Sequence, residues 1–400
     1  MNPAAALNAR AETGAGVGAD ADGHEAFRGA LRRMAQEKIK PHAAAVDDEA
    51  RFPAEAVQAF RSMALNGLAF PESLGGAGGD LMAQVLAVEE VARVCCSSSL
   101  VMLIPWAALT PLVWFGSEAL QRQIVPAVAA GQHGASFCLT EPGGGSDLRS
   151  IKTRAEPVAG GWRLNGQKRF ISNVGWSSWH AILARTGDQA FGVFMVHRDD
   201  PGFSVGRHER KMGMRGSPTA DVLLTDCVIP AEPVVGDPLR GHDYMIQTLT
   251  YTRPLVSAQA LGLAQGALDE AVAYTAGRDQ FGSKVSRFQI VRGMVADMAI
   301  AVESARALLY RAVAIAGEAN DDRARGFASM AKTLCSDTAM KVTTDAVQLF
   351  GGYGYMKDYP VERMMRDAKV SQIWEGTNQI QRLLVAKHVY AGFEGGGRRG

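Results

Sequence analysis

The chain has 400 residues, of which 47% are hydrophobic and 21% are charged, a balance typical of a folded protein with two or three domains. Its 42 basic and 41 acidic residues leave a formal net charge of +1, which argues against a broad nucleic-acid-binding surface. The five cysteines form no C-x-x-C pair and no Cys/His cluster with metal-ligand spacing, so we interpret them as reduced thiols and expect no metal site.

The N-terminal part of the chain predicts a tail followed by helices. Residues 1–22 are rich in Ala, Gly and Asp, which predicts a disordered tail and not a signal peptide. Residues 23–133 have apolar residues at helical spacing and predict a helical domain. Their most apolar stretch, 100–115, contains two prolines and falls short of the ~20 residues of a membrane-spanning helix. We therefore expect a buried helix, no membrane contact and a cytoplasmic protein.

The pattern changes between residues 134 and 240, where short apolar runs alternate with turn residues. Asn165 and Gly166 lie between two such runs and predict a two-residue hairpin turn, because both residue types tolerate positive φ. Further short strands are predicted on either side of Gly187 and before Pro230. Short strands joined by turns predict an antiparallel sandwich or barrel.

Helical spacing returns in residues 241–393, and residues 394–400 form a Gly/Arg-rich segment that predicts a frayed tail. Four successive helices predict a bundle. They are expected at residues 255–279, 290–316, 324–350 and 379–389. The predicted fold class is thus α+β and multidomain, in the order helical, β, helical. A parallel α/β sheet is not expected, because strands and helices do not alternate.

Glu375 is the carboxylate with the most unusual neighbours. Ile373 and Trp374 precede it, and Gly376 and Thr377 follow it. An apolar wall raises the pKa of a carboxylate and makes it a better base, while a glycine permits a sharp turn. The segment is equally consistent with a glutamate at a helix start that complements the helix dipole.

Two segments in the β region have the character of a binding site. Residues 137–147 predict a strand that runs into a glycine-rich loop, whose backbone N–H groups are able to reach an anion or a ring edge. Thr140 and Ser146 add hydroxyl groups there. Phe170 and Ser172 share one face of a later strand and are suited to pack on a flat heterocycle, although such pairs are more often core residues.

Two segments in the last region point to a phosphate group. Arg278, at a helix end, is suited to bidentate binding of an anion. Residues 277–284 resemble a phosphate loop only superficially, because a helix precedes them and the order Gly-Ser-Lys is wrong. Gly351 and Gly352 fit either a helix cap or the close passage of a phosphate.

Taken together and in this order, these segments resemble the acyl-CoA dehydrogenase family over residues 25–392. Two further segments, 211–219 and 252–269, support the resemblance. It implies an N-terminal helical domain, a central β domain and a C-terminal four-helix bundle, with FAD between the last two. It also implies a homo-oligomer, expected to be a tetramer, because part of each FAD site belongs to a neighbouring subunit.

The resemblance implies three groups of site residues. Contacts to the FAD of the same subunit are expected from Phe137, Leu139, Thr140, Gly145, Ser146, Phe170, Ser172, Thr377 and Gln379. Contacts to the FAD of a neighbouring subunit are expected from Arg278, Gln280, Phe281, Gln289, Gln348, Gly351 and Gly352. Contacts to the thioester substrate are expected from Ser146, Thr250, Arg253, Trp374, Glu375 and Gly376. The family usually has Trp and Thr where this chain has Phe170 and Ser172, and we expect function to survive this change.

In the reaction that the resemblance implies, Glu375 removes the α proton of an acyl-CoA thioester. The β hydride passes to flavin N5, the product is a trans-2-enoyl-CoA, and an electron-transfer flavoprotein takes the electrons, in fatty acid or amino acid catabolism. Some members carry the base on the first bundle helix, where this chain has Thr252, which cannot act as a base.

The preferred length of the acyl chain depends on the side chains that line the acyl pocket. Four bulky side chains are positioned either to shorten the acyl pocket, which favours short or branched acyl groups, or simply to pack the helical core. They are Met102, Leu103, Trp106 and Trp374.

Four other functions use the same scaffold. In the first, the acyl group is attached to a carrier protein of a biosynthetic pathway. The second is an acyl-CoA oxidase, in which oxygen is the electron acceptor. A nucleic-acid-binding relative is disfavoured by the near-neutral charge and by Glu375, and a flavin monooxygenase is disfavoured by Glu375.

Overall fold

The computed structural model describes residues 21–316 and 321–396. Helices, then a β-sheet, then helices follow one another along the chain, which confirms the α+β architecture expected from the sequence. Of the two predicted tails, residues 1–20 and 397–400 lie outside the described residues. The remaining tail residues belong to the first and last helices.

The N-terminal region consists of α-helices connected by loops and by short 3-10 and π-helical segments. They are α1 (Ala21–Met34), α2 (Ala43–Asp48), α3 (Ala54–Arg61), α4 (Leu81–Ala92), α5 (Cys96–Phe115) and α6 (Glu118–Ala129). Two of them begin at side-chain caps, because Asp80 accepts a hydrogen bond from the Ala83 N–H and Ser117 accepts one from the Leu120 N–H. Both α4 and α5 are almost wholly buried.

Helix α5 contains the apolar stretch singled out in the sequence. It continues through Pro105 and Pro111 and reaches 20 residues, longer than expected, so that by length and composition alone it could span a membrane. However, 78% of its most apolar window is buried inside the protein. Helix α5 is therefore the buried helix that was predicted.

The central region is one seven-stranded sheet. Its strands are β1 (Gly134–Cys138), β2 (Arg154–Val158), β3 (Gly161–Ser172), β4 (Ser177–Arg185), β5 (Phe191–His197), β6 (Phe203–Val205) and β7 (Thr219–Pro230). The order is β1-β4-β2-β3-β7-β6, with β5 also paired to β4. Most pairs are antiparallel, but β4 pairs in parallel with β1 and, at one position, with β2.

The hairpin predicted at Asn165 and Gly166 is wrong. Strand β3 runs through both residues, and its register against β7 shifts between Leu164 and Gly166. A Cβ atom on Gly166 would collide with Thr153, so the glycine serves a bulge with close backbone approach and not a turn. The turn lies earlier, between β2 and β3, where Gly160 has a φ of 80°.

The C-terminal region contains the four predicted helices and one that was not predicted. The helices are α7 (Gly241–Gly277), α8 (Gln289–Ala316), α9 (Asp321–Phe350), α10 (Pro360–Ser371) and α11 (Asn378–Gly396). A two-stranded hairpin of β8 (Asp279–Gln280) and β9 (Ser283–Lys284) follows α7. The unpredicted helix is α10, whose buried apolar residues Val361, Met364 and Ala368 occupy one face.

Glycines bring the N-terminal and C-terminal helices into direct contact. A Cβ atom on Gly262 or Gly266 of α7 would collide with the carbonyl oxygen of Glu89 or Arg93. Helix α7 therefore packs against α4 at a distance that larger residues would prevent.

Strands β4 and β5 are buried on both faces of the sheet. Strand β4 contributes Ala181 and Leu183 to the large core that it shares with the helices, and Ile182 and Ala184 to a second, smaller core. This alternation follows from the two-residue period of a strand. The shared core includes Ala135 of β1 and Leu139 just after it, and so packs this strand against the helices.

Candidate active site

Glu375 lies in the turn between α10 and α11, and its backbone is strained. Its φ is 53°, and the φ of Gly376 is 88°, so two successive residues are left-handed. For a residue other than glycine this conformation costs roughly 1–2 kcal/mol, and it persists only where surrounding contacts hold it. The sequence predicted a sharp turn at Gly376, but not a left-handed Glu375.

Two side chains of α7 contact Glu375. The Thr252 hydroxyl donates a hydrogen bond to Oε2 at 3.1 Å, and the Arg253 Nε lies 3.5 Å from the Glu375 carbonyl oxygen. Thr252 and Arg253 are buried, whereas Glu375 stays partly exposed. The alternative position for a base, Thr252, therefore contacts Glu375 directly. Ile373 is exposed and does not form the apolar wall that was expected.

Burial raises the pKa of Glu375, and the charge of Arg253, the hydrogen bond from Thr252 and the charge of Lys332 partly offset this rise. A carboxylate with a raised pKa is a stronger base, and one that keeps an opening to solvent is accessible to another molecule. These two properties together suit Glu375 to accept a proton.

Behind this turn lies a set of hydrogen-bond donors that the sequence did not indicate. The Lys332 Nζ donates to the Gly376 carbonyl and to the Asn378 Oδ1, both at 2.8 Å. The Gln381 Nε2 donates to the carbonyls of Glu375 at 3.1 Å and of Gly376 at 3.2 Å. Lys332 is 1% exposed and Gln381 is wholly buried. These donors satisfy the carbonyl groups of the left-handed turn.

One signal in the sequence was available for Lys332. Its neighbours on the same face of α9 are Ala328, Ser329, Cys335 and Ser336, and all of these small residues are buried. A solvent-exposed lysine usually has other polar residues around it on the helix. A single lysine on a face of small residues does not fit that pattern. Such a lysine is a candidate for a buried, hydrogen-bonded cation.

The predicted residues at the ends of β1 and β3 come together. The Arg169 N–H donates to the Thr140 carbonyl at 2.7 Å, and the Ser136 hydroxyl donates to the Ser172 carbonyl at 2.9 Å. Between them, Phe170 is 57% exposed and has a φ of 59°. An exposed aromatic ring on a strained backbone is a candidate surface for stacking on a flat ring.

The glycine-rich loop lies next to these strand ends. Glu141 and Gly144 exchange backbone hydrogen bonds of 2.8 and 3.1 Å, which close the loop. A Cβ atom on Gly143 would meet nothing within 4 Å, and Gly145 and Ser146 are exposed. The loop thus presents an open backbone surface.

A buried ion pair holds the start of this loop. The Lys168 Nζ donates to the Glu141 Oε1 at 2.8 Å and to the Leu139 carbonyl at 3.2 Å, and the Glu141 carboxylate also accepts from the Thr153 N–H at 3.0 Å. Burial lowers the pKa of Lys168, and Glu141 partly offsets this. Burial alone would raise the pKa of Glu141, but the charge and hydrogen bonds of Lys168 and the backbone donors leave it lowered. The pair therefore joins the loop to β3.

Hydrogen bonds connect the end of β3 to the helix that leads to Glu375. Asn173 donates to the Leu100 carbonyl of α5 at 2.7 Å and accepts from the Ser217 hydroxyl at 3.0 Å. In the same loop as Ser217, the Met214 N–H donates to Asp367 of α10 at 2.5 Å. The loop between β6 and β7 therefore fixes Phe170 and Ser172 relative to α10.

The remaining predicted residues of this region have varied surroundings. Thr250 donates its hydroxyl to the Ile246 carbonyl at 2.9 Å, Gln379 is exposed, and Thr377 accepts a long hydrogen bond from the Ile380 N–H at 3.4 Å. Trp374 packs against the large core, and its indole N–H has no acceptor among the described residues.

The bulky residues of α5 belong to the core. Met102, Leu103 and Trp106 are completely buried, and the Trp106 indole donates to the Asn66 carbonyl at 2.9 Å. Core packing thus accounts for these three side chains. Among the four bulky residues considered, only Trp374 is partly exposed.

A second group of predicted residues lines an open cavity of about 590 Å³ at the far end of α7. The predicted residues in its lining are Arg278, Gln280, Gln348, Gly351 and Gly352. Phe281 is 95% exposed, with a φ of 50°, and Gln289 is exposed at the start of α8. These two residues are not part of the lining.

This cavity is remote from Glu375. Thr252, which contacts Glu375, lies 25 residues before the end of α7 at Gly277. At 1.5 Å per residue the two positions are roughly 38 Å apart along the helix. The two groups of predicted residues therefore do not form one site within a single chain.

Comparison with known proteins yields three matches to family models. The model for the acyl-CoA dehydrogenase N-terminal domain matches residues 21–132, that for the middle domain matches 136–227, and that for the C-terminal domain matches 240–390. The Mycobacterium tuberculosis protein named "Probable acyl-CoA dehydrogenase FadE25" is 48% identical over 369 residues, which cover 91% of this chain and 94% of that protein.

Two solved structures are also similar. Butyryl-CoA dehydrogenase from Megasphaera elsdenii has a TM-score of 0.88 and 34% identity, covering 92% of this chain and 98% of its own. The prolyl acyl carrier protein oxidase AnaB has a TM-score of 0.88 and 27% identity, covering 92% of this chain and 99% of its own.

Proposed function

The chain belongs to the acyl-CoA dehydrogenase family, whose members are flavoprotein oxidoreductases that act on the CH–CH group of acyl-CoA, and on this premise we propose that Glu375 is its catalytic base. The observation that carries the proposal is the state of this carboxylate. It is partly exposed, its pKa is raised by burial, and contacts from α7 and α9 hold it in a left-handed turn. The product is a trans-2-enoyl thioester.

The residues at the ends of β1 and β3 fit a flavin, and we assign FAD to them. The exposed Phe170 ring offers a stacking surface, and the loop around Gly145 offers free backbone and the Ser146 hydroxyl. Phe137, Leu139, Thr140 and Ser172 lie on the same strand ends. When bound, FAD supplies the electron acceptor of the reaction.

The protein's own residues prepare proton abstraction. Thr252 occupies Oε2 of Glu375, which leaves Oε1 to take the α proton of the substrate. Arg253 and Lys332 favour the ionised carboxylate, since both lower its pKa against the effect of burial. The Glu375 N–H bonds no acceptor among the described residues, so it is available to donate to the thioester oxygen, where negative charge develops.

The test is anaerobic reduction of the purified protein's flavin. The absorption band of the bound flavin should bleach when a short or branched acyl-CoA is added. A panel of acyl-CoA esters of increasing length and branching would define the substrate. If the purified protein contains flavin and no acyl thioester bleaches the flavin absorption band, the proposed function is contradicted.

Short or branched acyl groups are the substrates that we propose. Trp374 is bulky and partly exposed next to Glu375, and a large ring there limits the room for a long chain. The similar Megasphaera enzyme is named for butyryl-CoA, a short acyl thioester. Two features support a cytoplasmic catabolic role: the acyl-CoA chemistry of the family, and the five buried, unpaired cysteines, which fit a reducing compartment.

A second candidate is the same chemistry on the acyl group of a carrier protein. The similarity to AnaB, a structure named for a prolyl acyl carrier protein oxidase, favours it. The panel should also contain the same acyl groups on a phosphopantetheinyl carrier protein. Comparison of the bleaching rates then distinguishes a CoA thioester from a carrier-protein thioester as the substrate. Formation of peroxide in air would indicate an oxidase, whereas transfer of electrons to an electron-transfer flavoprotein would indicate a dehydrogenase.

We assign the cavity at Arg278 to the FAD of a neighbouring subunit, which makes the protein a homo-oligomer, expected to be a tetramer. The cavity lies too far along α7 for the FAD at Glu375 of the same chain to reach it. The apolar side chains of Phe281 and Ile290 are strongly exposed beside it, as is expected of a surface that a second chain covers.

Replacing Arg278 by Ala is expected to weaken the retention of FAD by about 10-fold or more, since a hydrogen bond to a charged group is worth about 1.5–3 kcal/mol. The measurement is the ratio of FAD to protein after serial dilution. Arg122→Ala, which removes an exposed arginine of α6, is the matched control and should retain FAD like the parent. Equal FAD retention by Arg278→Ala and the parent would refute the assignment.

A further inference from the structure

A buried lysine lies behind the Glu375 turn. Lys332 is 1% exposed, and its two acceptors, the Gly376 carbonyl and the Asn378 Oδ1, are neutral. Burial of an ammonium group costs several kcal/mol unless nearby negative charge compensates it. The carboxylates of Glu375 and Asp337 supply this charge, since both raise the pKa of Lys332 against the effect of burial.

The Asn378 amide is fixed so that its oxygen faces Lys332. Its Nδ2 donates to the Asp337 Oδ1 at 2.8 Å and to the Ser336 hydroxyl at 2.8 Å. Asp337 in turn accepts hydrogen bonds from Gln372 at 2.7 Å and from Arg382 at 2.6 Å. A satisfied network of this kind holds the position of the Lys332 ammonium group.

We propose that Lys332 is a positioning residue for Glu375, which acts through the backbone of the turn to aim the carboxylate at the substrate. The left-handed conformation turns the Gly376 carbonyl towards Lys332 of α9 and Gln381 of α11, which both donate to it. Without Lys332 this carbonyl loses its charged donor, and the strained turn is free to relax. The inference deepens the function proposed above and rests on the assignment of Glu375 as the base.

The same lysine also sets the charge state of Glu375. The charged groups that face Glu375 are Arg253 from α7 and Lys332 from α9, with Arg325 facing Arg253 and Asp337 facing Lys332. Both cations lower the pKa of Glu375. Loss of Lys332 therefore raises the pKa of Glu375 further, so that a smaller fraction of the base is ionised at a given pH.

The experiment compares Lys332→Met with Lys341→Met. Lys341 is an exposed lysine of the same helix and pairs only with Asp345 among the described residues, which makes it a matched control. The rate of anaerobic flavin bleaching at saturating acyl-CoA should fall roughly 10- to 100-fold in Lys332→Met, the scale of a small misplacement of a catalytic group. The acidic limb of its pH profile should move to higher pH. Lys341→Met should match the parent in both respects.

A readout that needs no turnover separates this inference from the proposed function. The carboxyl band of Glu375, identified by infrared difference against Glu375→Gln, should titrate at a higher pH in Lys332→Met than in the parent. If acyl-CoA fails to bleach the parent, the proposed function fails, and the infrared titration still decides the role of Lys332.

A purely structural lysine would behave differently. In that case Lys332→Met would melt at a lower temperature, while the bleaching rate of the folded protein and the titration of Glu375 stayed at the parent values. That outcome would overturn the proposal. If Lys332→Met does not fold, Lys332→Gln keeps one amide donor without the charge. Its pH profile and infrared titration should still shift upwards, and unchanged values would overturn the proposal equally.

Discussion

Replacing Glu375 by Gln is expected to slow the reduction of the flavin by acyl-CoA about 10²- to 10⁴-fold, the usual contribution of a general base. The amide has the size of the carboxylate and still accepts a hydrogen bond from Thr252, so FAD binding and the turn should be retained. The measurement is the stopped-flow rate of anaerobic bleaching, together with the FAD content.

The pH dependence of the parent gives a second test of the same residue. Burial raises the pKa of Glu375 above its ordinary value of 4.5, so the bleaching rate should rise with pH around a midpoint above 4.5. This limb should disappear in Glu375→Gln. Glu118→Gln, at an exposed position of α6, should keep both the rate and the limb. A parent-like rate in Glu375→Gln would remove Glu375 from the mechanism.

The loss of activity in Glu375→Gln should not be accompanied by a loss of stability. A carboxylate whose pKa is higher in the folded than in the unfolded protein loses stability as pH rises through the interval between the two values. At neutral pH the ionised Glu375 is therefore a cost to folding. Glu375→Gln removes this cost but also removes negative charge that compensates Lys332, so it should melt near the parent temperature, which would exclude unfolding as the cause of lost activity.

The second large effect is expected from Lys168→Met, which should destabilise the folded protein by about 3–5 kcal/mol at neutral pH, because it leaves a charged partner buried alone. That partner is Glu141, which would keep only its backbone donors. FAD content should fall as well, since the pair joins the glycine-rich loop to β3. Denaturant unfolding measures the free energy.

The double variant Lys168→Met with Glu141→Gln is the control. Removal of both charges of a buried pair is often nearly neutral, so this variant should recover much of the lost stability. The direction in which the stability of Lys168→Met changes with pH also follows. Without Lys168, burial dominates and raises the pKa of Glu141, so the single variant should regain stability as pH falls and Glu141 becomes protonated. A single variant as stable as the parent would contradict this account.

The sequence by itself determined the order of the regions and most candidate residues. The change of period from helical to strand spacing and back is a local property, and it marked the sheet correctly. The segments around Glu375, Phe170 and Arg278 were recognisable because glycine, aromatic and charged residues occur there in unusual combinations. The structure places Arg278 and Gly351 around one cavity, although 73 positions separate them.

Predictions of secondary structure from local sequence were wrong where contacts with residues distant in the chain determine the structure. Asn165 and Gly166 have the sequence of a hairpin turn, but pairing of β3 with β7 on both sides of them keeps the strand extended. Helix α10 is mostly polar apart from one narrow apolar face, so its period was not recognised.

Only the tertiary structure decided how the candidate base is held. Thr252 contacts Glu375 across 123 positions of the chain, and Lys332 reaches Gly376 across 44. Whether a lysine is a surface charge or a buried donor depends on which helices pack around it. The same packing supplies the donors that stabilise a left-handed glutamate, and the local pattern marks one of them, Lys332, only as a lysine on a face of small residues.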